Sequence, residues 1–287
     1  MDTSRQLYEG EATGWRRGVY DDIKRTFRAP IVNWIFRTSM ANEPEFTRYA
    51  WGQVKPLFET RAFARLSVDY RDAVLSELDL PVYRRVDAGV SPAEYAELRG
   101  QLATYDVVGP RLAVLFEAMD RGLSGELSPD PVDERAATTP FPEWLDSDRG
   151  RPPTLVDEPP AELDETVERM RAFHGFEGSL PSIYRTVAQW PAFLEPLWDD
   201  LEPVFEGEGF DRACERTAEL VDEFVSAAPY RPRLAPDELR AVGFEDDTVE
   251  GAATLFQEFN SGPVETVLPA LPALAATVDA AGERSFE

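Results

Sequence analysis

Apolar residues recur with the period of an α-helix along most of this chain. Leu98, Leu102 and Tyr105, for example, fall at i, i+4 and i+7 of one stripe. The same pattern predicts helices over residues 192–205, beginning at Pro191, and over residues 211–225. We find no run of β-branched residues with a period of two between turn signals. The sequence therefore predicts an all-α fold.

Local signals mark where one of these helices starts and where it should stop. The tetrapeptide Ser91-Pro92-Ala93-Glu94 has the form of a capping box with proline in the first turn. The dipeptide Gly109-Pro110 interrupts the stripe further on, and proline removes a backbone donor that a helix needs. We therefore expect a helix that opens at the capping box and breaks at Gly109-Pro110, with a second stripe after it.

The chain also repeats itself. Residues 38–58 read TSMANEPEFTRYAWGQVKPLF, and residues 185–205 read RTVAQWPAFLEPLWDDLEPVF. A shift of 147 positions aligns eight identical residues across 41–63, where unrelated segments would share roughly one or two. The segments 107–116 and 260–269 echo each other as well, at a spacing of 153. This self-similarity predicts two tandem helical repeats that pack as a pseudo-dimer.

A segment without helical periodicity separates the two halves. It contains many acidic residues and eight prolines, at positions 129, 131, 140, 142, 152, 153, 159 and 160. Such a composition is typical of an extended linker. The predicted organisation is helical repeat 1 over 15–122, a long Pro-rich acidic linker over 123–160, and helical repeat 2 over 161–282.

The charge of the chain is unusual. It has 54 acidic and 29 basic residues, a formal net charge of −25, and only two lysines, Lys24 and Lys55. Concentrated salt screens repulsion within a few ångströms, so an acidic surface of this kind stays compact there and repels itself in dilute buffer. The alternative, an acidic tail or nucleic-acid mimic, would concentrate the charge in blocks. We expect a halophilic protein.

The same composition argues against several partners. Phosphate binding requires a basic surface, so nucleic acid is not an expected partner. No apolar run approaches the length of a membrane span, and the first residues lack the apolar core of a signal peptide. Cys214 is the only cysteine, which excludes an internal disulfide. The expected location is the high-salt cytosol of a halophile.

Catalytic motifs are scarce. His174 is the only histidine, and one histidine alone indicates neither a histidine metal cluster nor a Ser–His–Asp triad. No glycine-rich loop of a phosphate-binding type is present. Acid–base chemistry would fall on carboxylates, tyrosines or His174 itself. Any one of the many carboxylates is more simply explained as surface charge.

Short motifs nevertheless resemble a known family. APIVNWIFRT and ANEPEF near the start, HGFEGSLPSIYRTVAQWP over 174–191, the duplication and the long linker resemble the group I 2-haloacid dehalogenases, also labelled halocarboxylic acid dehydrogenases. The resemblance implies a pseudo-dimer with one active site between its repeats. It also implies a hydrolase that acts on the carbon–halogen bond of small 2-halocarboxylic acids, of either enantiomer, without a cofactor or metal. In the family a buried aspartate activates water for direct displacement at C2.

The position of that aspartate is changed here. Counting from Gly178 places it on Ser182, and counting from Trp190-Pro191 places it on Ile183. No Asp or Glu occurs from 179 to 190, so the dehalogenase activity is in doubt. His174 and Glu177 are candidate replacement bases, since both precede the site by a few residues. The alternative for His174 is a buried or helix-capping histidine held by hydrogen bonds.

Two further family positions also differ. An asparagine expected before a proline is Gly109, and an expected pocket tyrosine is Phe256. Arg37 and Arg185 lie in the near-identical tetrapeptides IFRT and IYRT, and a guanidinium suits a carboxylate ligand. A structural salt bridge is the alternative role for both arginines. The predicted substrate-binding set, in which the aromatic members could equally be ordinary core residues, is Trp34, Phe36, Arg37, Gly109, Tyr184, Arg185, Trp190 and Phe256.

Two other functions remain open. The frame could serve another small-molecule enzyme or an organic-acid-binding protein, or a non-catalytic helical interaction protein. A small carboxylic acid is the expected ligand in the first case, and the chain is expected to be a monomer or a homodimer. A closed cavity would favour a ligand-binding protein, whereas a filled core would favour an interaction protein.

Overall fold

The computed structural model describes residues 1–127, 141–178 and 180–286. Within these ranges the regular secondary structure is helical and no strand occurs, which confirms the all-α prediction. The helices are α1 (Gly14–Phe27), α2 (Trp34–Asn42), α3 (Pro44–Phe58), α4 (Arg61–Leu75), α5 (Pro92–Ser124), α6 (Asp164–His174), α7 (Ser182–Val187), α8 (Pro191–Phe205), α9 (Glu208–Ser226), α10 (Pro236–Ala241), α11 (Asp246–Phe259) and α12 (Val264–Ala276), with a 3₁₀ turn at Ala161–Leu163.

The helix starts follow the local sequence. The backbone N–H of Ser91 donates to Glu94 Oε2 at 2.9 Å, and the N–H of Glu94 donates to Ser91 Oγ at 3.3 Å. This reciprocal pair is the predicted capping box, and α5 begins at Pro92 directly after it. Helix α8 begins at Pro191, as predicted, and α9 begins at Glu208, three residues before the predicted start.

The predicted break at Gly109-Pro110 is wrong, because α5 runs through both residues as one helix of 33 residues. Proline at position 110 cannot donate to the carbonyl oxygen of Asp106, four residues earlier. Arg71 Nη2 lies 3.4 Å from that oxygen and donates to it instead. A side chain from α4 thus replaces part of what the proline removes, and the helix continues.

The chain divides into two compact units. The first comprises Met1–Ser67, Arg111–Ser147 and Val221–Ser261, and the second comprises Val68–Pro110, Asp148–Leu220 and Gly262–Glu287. In the first unit, Trp51 packs edge-on against Phe27 and Phe36, with ring centroids 5.7 and 5.6 Å away. In the second, Trp198 packs edge-on against Tyr184 and Phe205 at 5.7 and 6.0 Å. Each unit therefore has its own aromatic core.

The predicted linker over 123–160 is only partly described, since 128–140 lie outside the described residues. Helix α5 extends to Ser124, two residues beyond the predicted end of repeat 1. In the first unit, Arg28 Nη1 donates to the carbonyls of Pro142 and Leu145 at 2.9 and 2.5 Å. In the second, the N–H of Arg151 donates to the Gly100 carbonyl at 2.8 Å. The described parts of this segment are therefore held by hydrogen bonds to the unit in which they lie.

Fully buried guanidinium groups occur in both units. In the second, Arg71 Nε lies 3.0 Å from Asp106 Oδ2, and both side chains have 0% exposure. In the first, Arg111 Nη1 lies 2.9 Å from Asp146 Oδ2, with exposures of 0% and 1%. Charged side chains at this depth require ionic partners, because the cost of removing them from water is several kcal/mol per ion.

Helix bounds bear on the predicted duplication without deciding it. Helices α3 and α8 each have 15 residues, and their first residues are Pro44 and Pro191. This spacing equals the shift of 147 positions that aligns the two sequence segments. The two-repeat organisation and its domain bounds stay a prediction.

The ion pair between Arg111 and Asp146 generates a stability prediction. Asp146→Asn keeps the size of the side chain and suits the backbone, because φ at this residue is 59° and asparagine tolerates positive φ. It removes the carboxylate charge that pairs with the buried Arg111, so the free energy of unfolding should fall by about 3–5 kcal/mol. The measurement is urea unfolding in multimolar KCl, with its slope checked for constancy.

The matched control for that experiment is Asp246→Asn. Asp246 pairs with Arg240 at 2.7 Å, but both side chains are about half exposed or more. Its loss should cost less than about 1 kcal/mol. Equal losses in the two variants would contradict the structural role assigned to the buried pair.

A second prediction follows from the net charge. No helix in the described ranges is long and apolar enough to cross a membrane. Added salt weakens the exposed ion pairs, but it also screens the repulsion of a formal charge of −25. We expect repulsion to dominate, so the melting temperature should rise from dilute buffer to multimolar KCl. A melting temperature that falls over this range would refute the halophilic interpretation.

Candidate active site

Helix α7 carries four of the predicted site positions, Ser182, Ile183, Tyr184 and Arg185. The helix begins directly after Pro181, whose carbonyl oxygen accepts hydrogen bonds from the N–H groups of Tyr184 and Arg185, both at 3.1 Å. Proline before the first turn provides a fixed φ and needs no donor there. With only six residues, α7 depends on its surroundings for a fixed position.

Three consecutive side chains of α7 bind three different parts of the second unit. Tyr184 Oη lies 2.6 Å from Nε2 of His174, at the end of α6. Arg185 Nε donates to the carbonyl oxygen of Val156, in the segment before α6, at 2.9 Å. Thr186 Oγ1 lies 2.8 Å from the hydroxyl oxygen of Tyr105, on α5. This short helix is therefore held from three sides.

His174 lies in the middle of a directed chain of hydrogen bonds. The hydroxyl of Thr266 donates to the Pro263 carbonyl at 3.2 Å, so its oxygen is available to accept from His174 Nδ1 at 2.8 Å. His174 Nε2 then carries no proton and accepts from the Tyr184 hydroxyl at 2.6 Å. The network assigns one tautomer to the imidazole.

Burial keeps both members of the central pair neutral. His174 is 4% exposed and Tyr184 is fully buried. Desolvation lowers the pKa of His174 to about 3, because a buried imidazolium loses its hydration. The same cause raises the pKa of the Tyr184 hydroxyl above its ordinary value. At neutral pH the pair is therefore an uncharged hydrogen bond and no ion pair.

The four candidate base positions differ sharply in their surroundings. Ile183 is 1% exposed and apolar, whereas Ser182 is half-buried. His174 has partners on both ring nitrogens and a low pKa, so it is poorly placed to accept a proton from water. Glu177 is the one carboxylate of the four, and it is exposed in the segment between α6 and α7. Helix α7 itself offers no carboxylate base.

The two predicted carboxylate-binding arginines are engaged locally. Besides the Val156 carbonyl, Arg185 reaches Asp157, whose carboxylate lies 3.6 Å from Arg185 Nη2. In the first unit, the Arg37 guanidinium lies over the ring of Tyr8, 5.0 Å from its centroid. These contacts fit the structural alternative, and acid binding by either arginine stays a prediction.

The predicted aromatic residues of the first unit lie in two clusters. Phe36 belongs to the core around Trp51 and is 4% exposed. Trp34 is half-buried and stacks on Phe259, with ring centroids 4.7 Å apart. Phe256, 3% exposed, lies on α11, one turn before Phe259. The clusters are packed against apolar neighbours within that unit.

The other two predicted positions of the second unit lie at a helix start and within a helix. Trp190 precedes the first residue of α8 and is 8% exposed. Gly109 is buried within α5, where an added Cβ would meet the Leu271 side chain at 3.5 Å. That is ordinary contact, so an asparagine there would need space beyond its first carbon.

Each unit has an open cavity, beside α1 in the first unit and beside α6 in the second. One of about 570 Å³ in the second unit is lined by Glu168, Arg171, Ala172, Gly175, Phe176 and Glu177. One of about 380 Å³ in the first unit is lined mainly by charged residues, among them Asp22, Arg28 and Lys55. Glu177 is the only predicted site residue in either lining. No cluster of side chains suited to a metal ion is found among the described residues.

Sequence reasoning missed Thr266, Thr186 and Tyr105 as partners of the site. Thr186 belongs to the IYRT tetrapeptide that contains Arg185, so the sequence could have indicated Thr186 as part of the site. Thr266 lies 92 positions from His174, and no local pattern connects them. A contact at that separation depends on the packing of α12 against α6.

Comparisons with known proteins point in one direction. A family model described as halocarboxylic acid dehydrogenase DehI matches residues 30–164. An (R)-2-haloacid dehalogenase of Pseudomonas putida is 26% identical over 267 residues, covering 87% of this chain and 85% of the relative. A second (R)-2-haloacid dehalogenase, of Rhizobium sp. (strain NHG3), is 25% identical over 250 residues and covers 81% and 91%.

Solved structures agree at the level of the fold. A D-2-haloacid dehalogenase mutant in complex with D-2-CPA superposes with a TM-score of 0.78 and 21% sequence identity, covering 95% of each chain. A complex of D-2-haloacid dehalogenase with L-LA gives the same values. At this identity the likeness shows the fold alone.

The low pKa of His174 gives a pH prediction. The unfolded histidine has an ordinary pKa of about 6.5, so between about pH 6.5 and pH 3 the unfolded chain binds a proton that the folded chain excludes. The stability that His174 contributes is therefore present above pH 6.5 and is lost as the pH falls. Relative to His174→Phe, wild type should lose about 1.4 kcal/mol per pH unit below about pH 6.

Urea unfolding of the two proteins at a series of pH values tests this expectation. The many carboxylates are common to both proteins, so their titration cancels in the difference. The difference should be constant above about pH 7, which serves as the internal control. A difference that also stays constant down to about pH 4.5 would mean that His174 titrates normally in the folded state.

Proposed function

Because the chain is a distant member of the haloacid dehalogenase family, we propose that it hydrolyses the carbon–halogen bond of small 2-halocarboxylic acids. The single observation that carries the proposal is the extent of its relationship to the two (R)-2-haloacid dehalogenases, which covers more than four fifths of the chain. Both relatives are named as 2-haloacid dehalogenases. The simplest hypothesis is that this chain catalyses the same reaction.

The proposed reaction is a direct displacement. A water oxygen forms a bond to C2 of the acid as the carbon–halogen bond breaks, the halide leaves with the bonding electrons, and a base accepts the water proton. The products are a 2-hydroxy acid, a halide ion and a proton. The site must supply a poised base, an apolar wall for the halogen and donors for the substrate carboxylate.

The α7 region supports parts of that scheme. Tyr184 and Trp198 form a buried aromatic pair in the second unit, and the hydrogen bonds to α7 give that helix a fixed position. Glu177 is the proposed base, because it is the carboxylate nearest in sequence to α7 on the N-terminal side and it is exposed to water. We place the reacting carbon at the start of α7, beside Ser182.

A second candidate function is binding of a small organic acid without turnover. One observation favours it: Ile183, at one of the two possible base positions, is apolar and 1% exposed, and Ser182 at the other is no carboxylate. On this alternative the protein keeps the helical fold of the family but lacks its catalytic carboxylate. The third alternative is a non-catalytic interaction protein. The cavities found in the two units are open, and a closed cavity would be needed to favour a ligand-binding protein over it.

The organisation and setting of the protein are proposed together with its function. We propose two tandem helical repeats in one chain, acting as a pseudo-dimer in a monomeric or homodimeric protein. The equal lengths and spacing of α3 and α8 support the repeats. The net charge of −25 supports a high-salt cytosol.

The test is bromide release from D- and L-2-bromopropionate and bromoacetate in multimolar KCl, where bromide is distinguishable from the salt. We expect release by wild type and its loss in Glu177→Gln. Ile183→Asp and Ser182→Asp place a carboxylate at the two family positions, and the correctly aligned one should raise the rate by about 10²-fold or more, the contribution of a positioned base.

Ile183→Asn and Ser182→Asn are the matched controls, since each has the size and polarity of the aspartate without its basicity. No release by wild type, with release gained in one Asp variant but not in its Asn control, would overturn hydrolysis and favour the acid-binding alternative. No release by any of these proteins would overturn both the reaction and the placement of the site on α7.

A further inference from the structure

Two aromatic trios occupy matching positions in the two units. Phe27 and His174 are the last residues of α1 and α6, and Phe36 and Tyr184 are the third residues of α2 and α7. The third members are the tryptophans at the eighth position of α3 and α8, Trp51 and Trp198.

The ring geometry of the two trios is similar. The ring centroids of Phe36 and Trp51 lie 5.6 Å apart with an interplanar angle of 89°, and those of Tyr184 and Trp198 lie 5.7 Å apart at 86°. The distances from the helix-ending ring to its neighbour on the short helix are 5.8 Å for Phe27 and 5.3 Å for His174. The two trios therefore share their ring distances, but the His174 ring is tilted at 41° to Tyr184, whereas Phe27 and Phe36 meet at 67°.

The polar version requires additional hydrogen bonds. His174 and Tyr184 are both almost completely buried, and each unsatisfied polar group at such depth costs about 1–3 kcal/mol. All of their polar atoms are matched only because Thr266 on α12 completes the chain. Packing alone does not need this arrangement, since phenylalanine fills the equivalent places in the first unit.

We propose that His174 and Thr266 are positioning residues of the candidate site. His174 accepts the Tyr184 hydroxyl as a fixed tautomer and thereby sets the orientation of the first turn of α7, where Ser182 and Ile183 lie. On this inference His174 does not serve as the base, and its catalytic consequence rests on the proposed function.

Because α7 is short, the hydrogen bond between Tyr184 and His174 can affect the position of its first turn. The helix has six residues, so a change at Tyr184 is at most two positions from either candidate base position. Arg185 and Thr186 are bound on other sides by Val156 and Tyr105. Loss of the Tyr184 contact alone should therefore rotate or loosen the first turn without releasing the helix.

The first test is nitrogen NMR of protein labelled with ¹⁵N-histidine in multimolar KCl. Because His174 is the only histidine, the spectrum contains a single pair of ring resonances. We expect a protonated Nδ1 and a bare Nε2, unchanged across neutral and mildly acidic pH. Tyr184→Phe should shift the Nε2 resonance, and Thr266→Val should shift that of Nδ1.

The matched control is Tyr70→Phe. Tyr70 on α4 is another buried tyrosine of the second unit, and it is no member of this chain of hydrogen bonds. Its substitution removes one buried hydroxyl in the same way and should leave both ring nitrogens unshifted. A proton on Nε2, or a Tyr184→Phe variant whose Nε2 resonance equals that of wild type, would overturn the proposal.

The second test separates positioning from stability. In whichever of wild type, Ile183→Asp and Ser182→Asp releases bromide, Tyr184→Phe should lower kcat about tenfold and change KM by less than about twofold, as expected when alignment and not binding is lost. Tyr70→Phe should do neither. Equal effects of the two substitutions would reduce His174 to a structural role and overturn the inference.

A failure of the proposed hydrolysis can be distinguished from a failure of the positioning role of His174. When none of the proteins releases bromide, the proposed function fails, and the kinetic comparison has no reaction to report. The ring-nitrogen spectrum still decides whether His174 holds Tyr184, because it requires neither substrate nor turnover.

Discussion

A guanidinium group without exposed surface requires a carboxylate beside it, and in the second unit Asp106 provides that carboxylate for Arg71. Its Oδ2 accepts from Arg149 at 2.8 Å and from the N–H of Gly282 at 2.9 Å, in addition to its pair with Arg71. One carboxylate therefore connects α5 to α4, to the segment before α6 and to the C-terminal residues. Since removal of one member of a buried pair costs several kcal/mol, these distant parts of the sequence are energetically coupled.

The same requirement explains which features of the fold were predictable from sequence. The capping box at Ser91 and Glu94 was, because both partners lie within three residues and the signal is local. The break at Gly109-Pro110 was predicted wrongly, because the carbonyl that Pro110 leaves without its helical donor accepts from Arg71, 35 positions away from Asp106. A local rule about proline has no access to that donor. Helix existence followed from the apolar period, whereas helix continuity depended on a tertiary contact.

The candidate site divides in a similar way. The IYRT motif identified Tyr184 and Arg185 as candidates, and His174 was a candidate because it is the only histidine. Their roles were not readable, because those depend on Val156 and Thr266, which carry no motif. The interpretation of Arg185 was left open between acid binding and a structural contact. Its bond to the Val156 carbonyl shows how a short helix of six residues obtains, from a neighbouring segment, the stability that its own hydrogen bonds do not provide.

Stability and catalysis make opposite demands at position 183. Burial of an isoleucine side chain with 1% exposure stabilises the fold by about 1.5–3 kcal/mol. Burial raises the pKa of a carboxyl group, so Ile183→Asp can act as a base only where neighbouring donors keep its carboxylate ionised. The imidazole of His174 offers no such donor, since its Nδ1 proton is directed to Thr266 and its Nε2 accepts from Tyr184. Since α7 carries no carboxylate, the proposed hydrolysis requires a base for water from outside this helix.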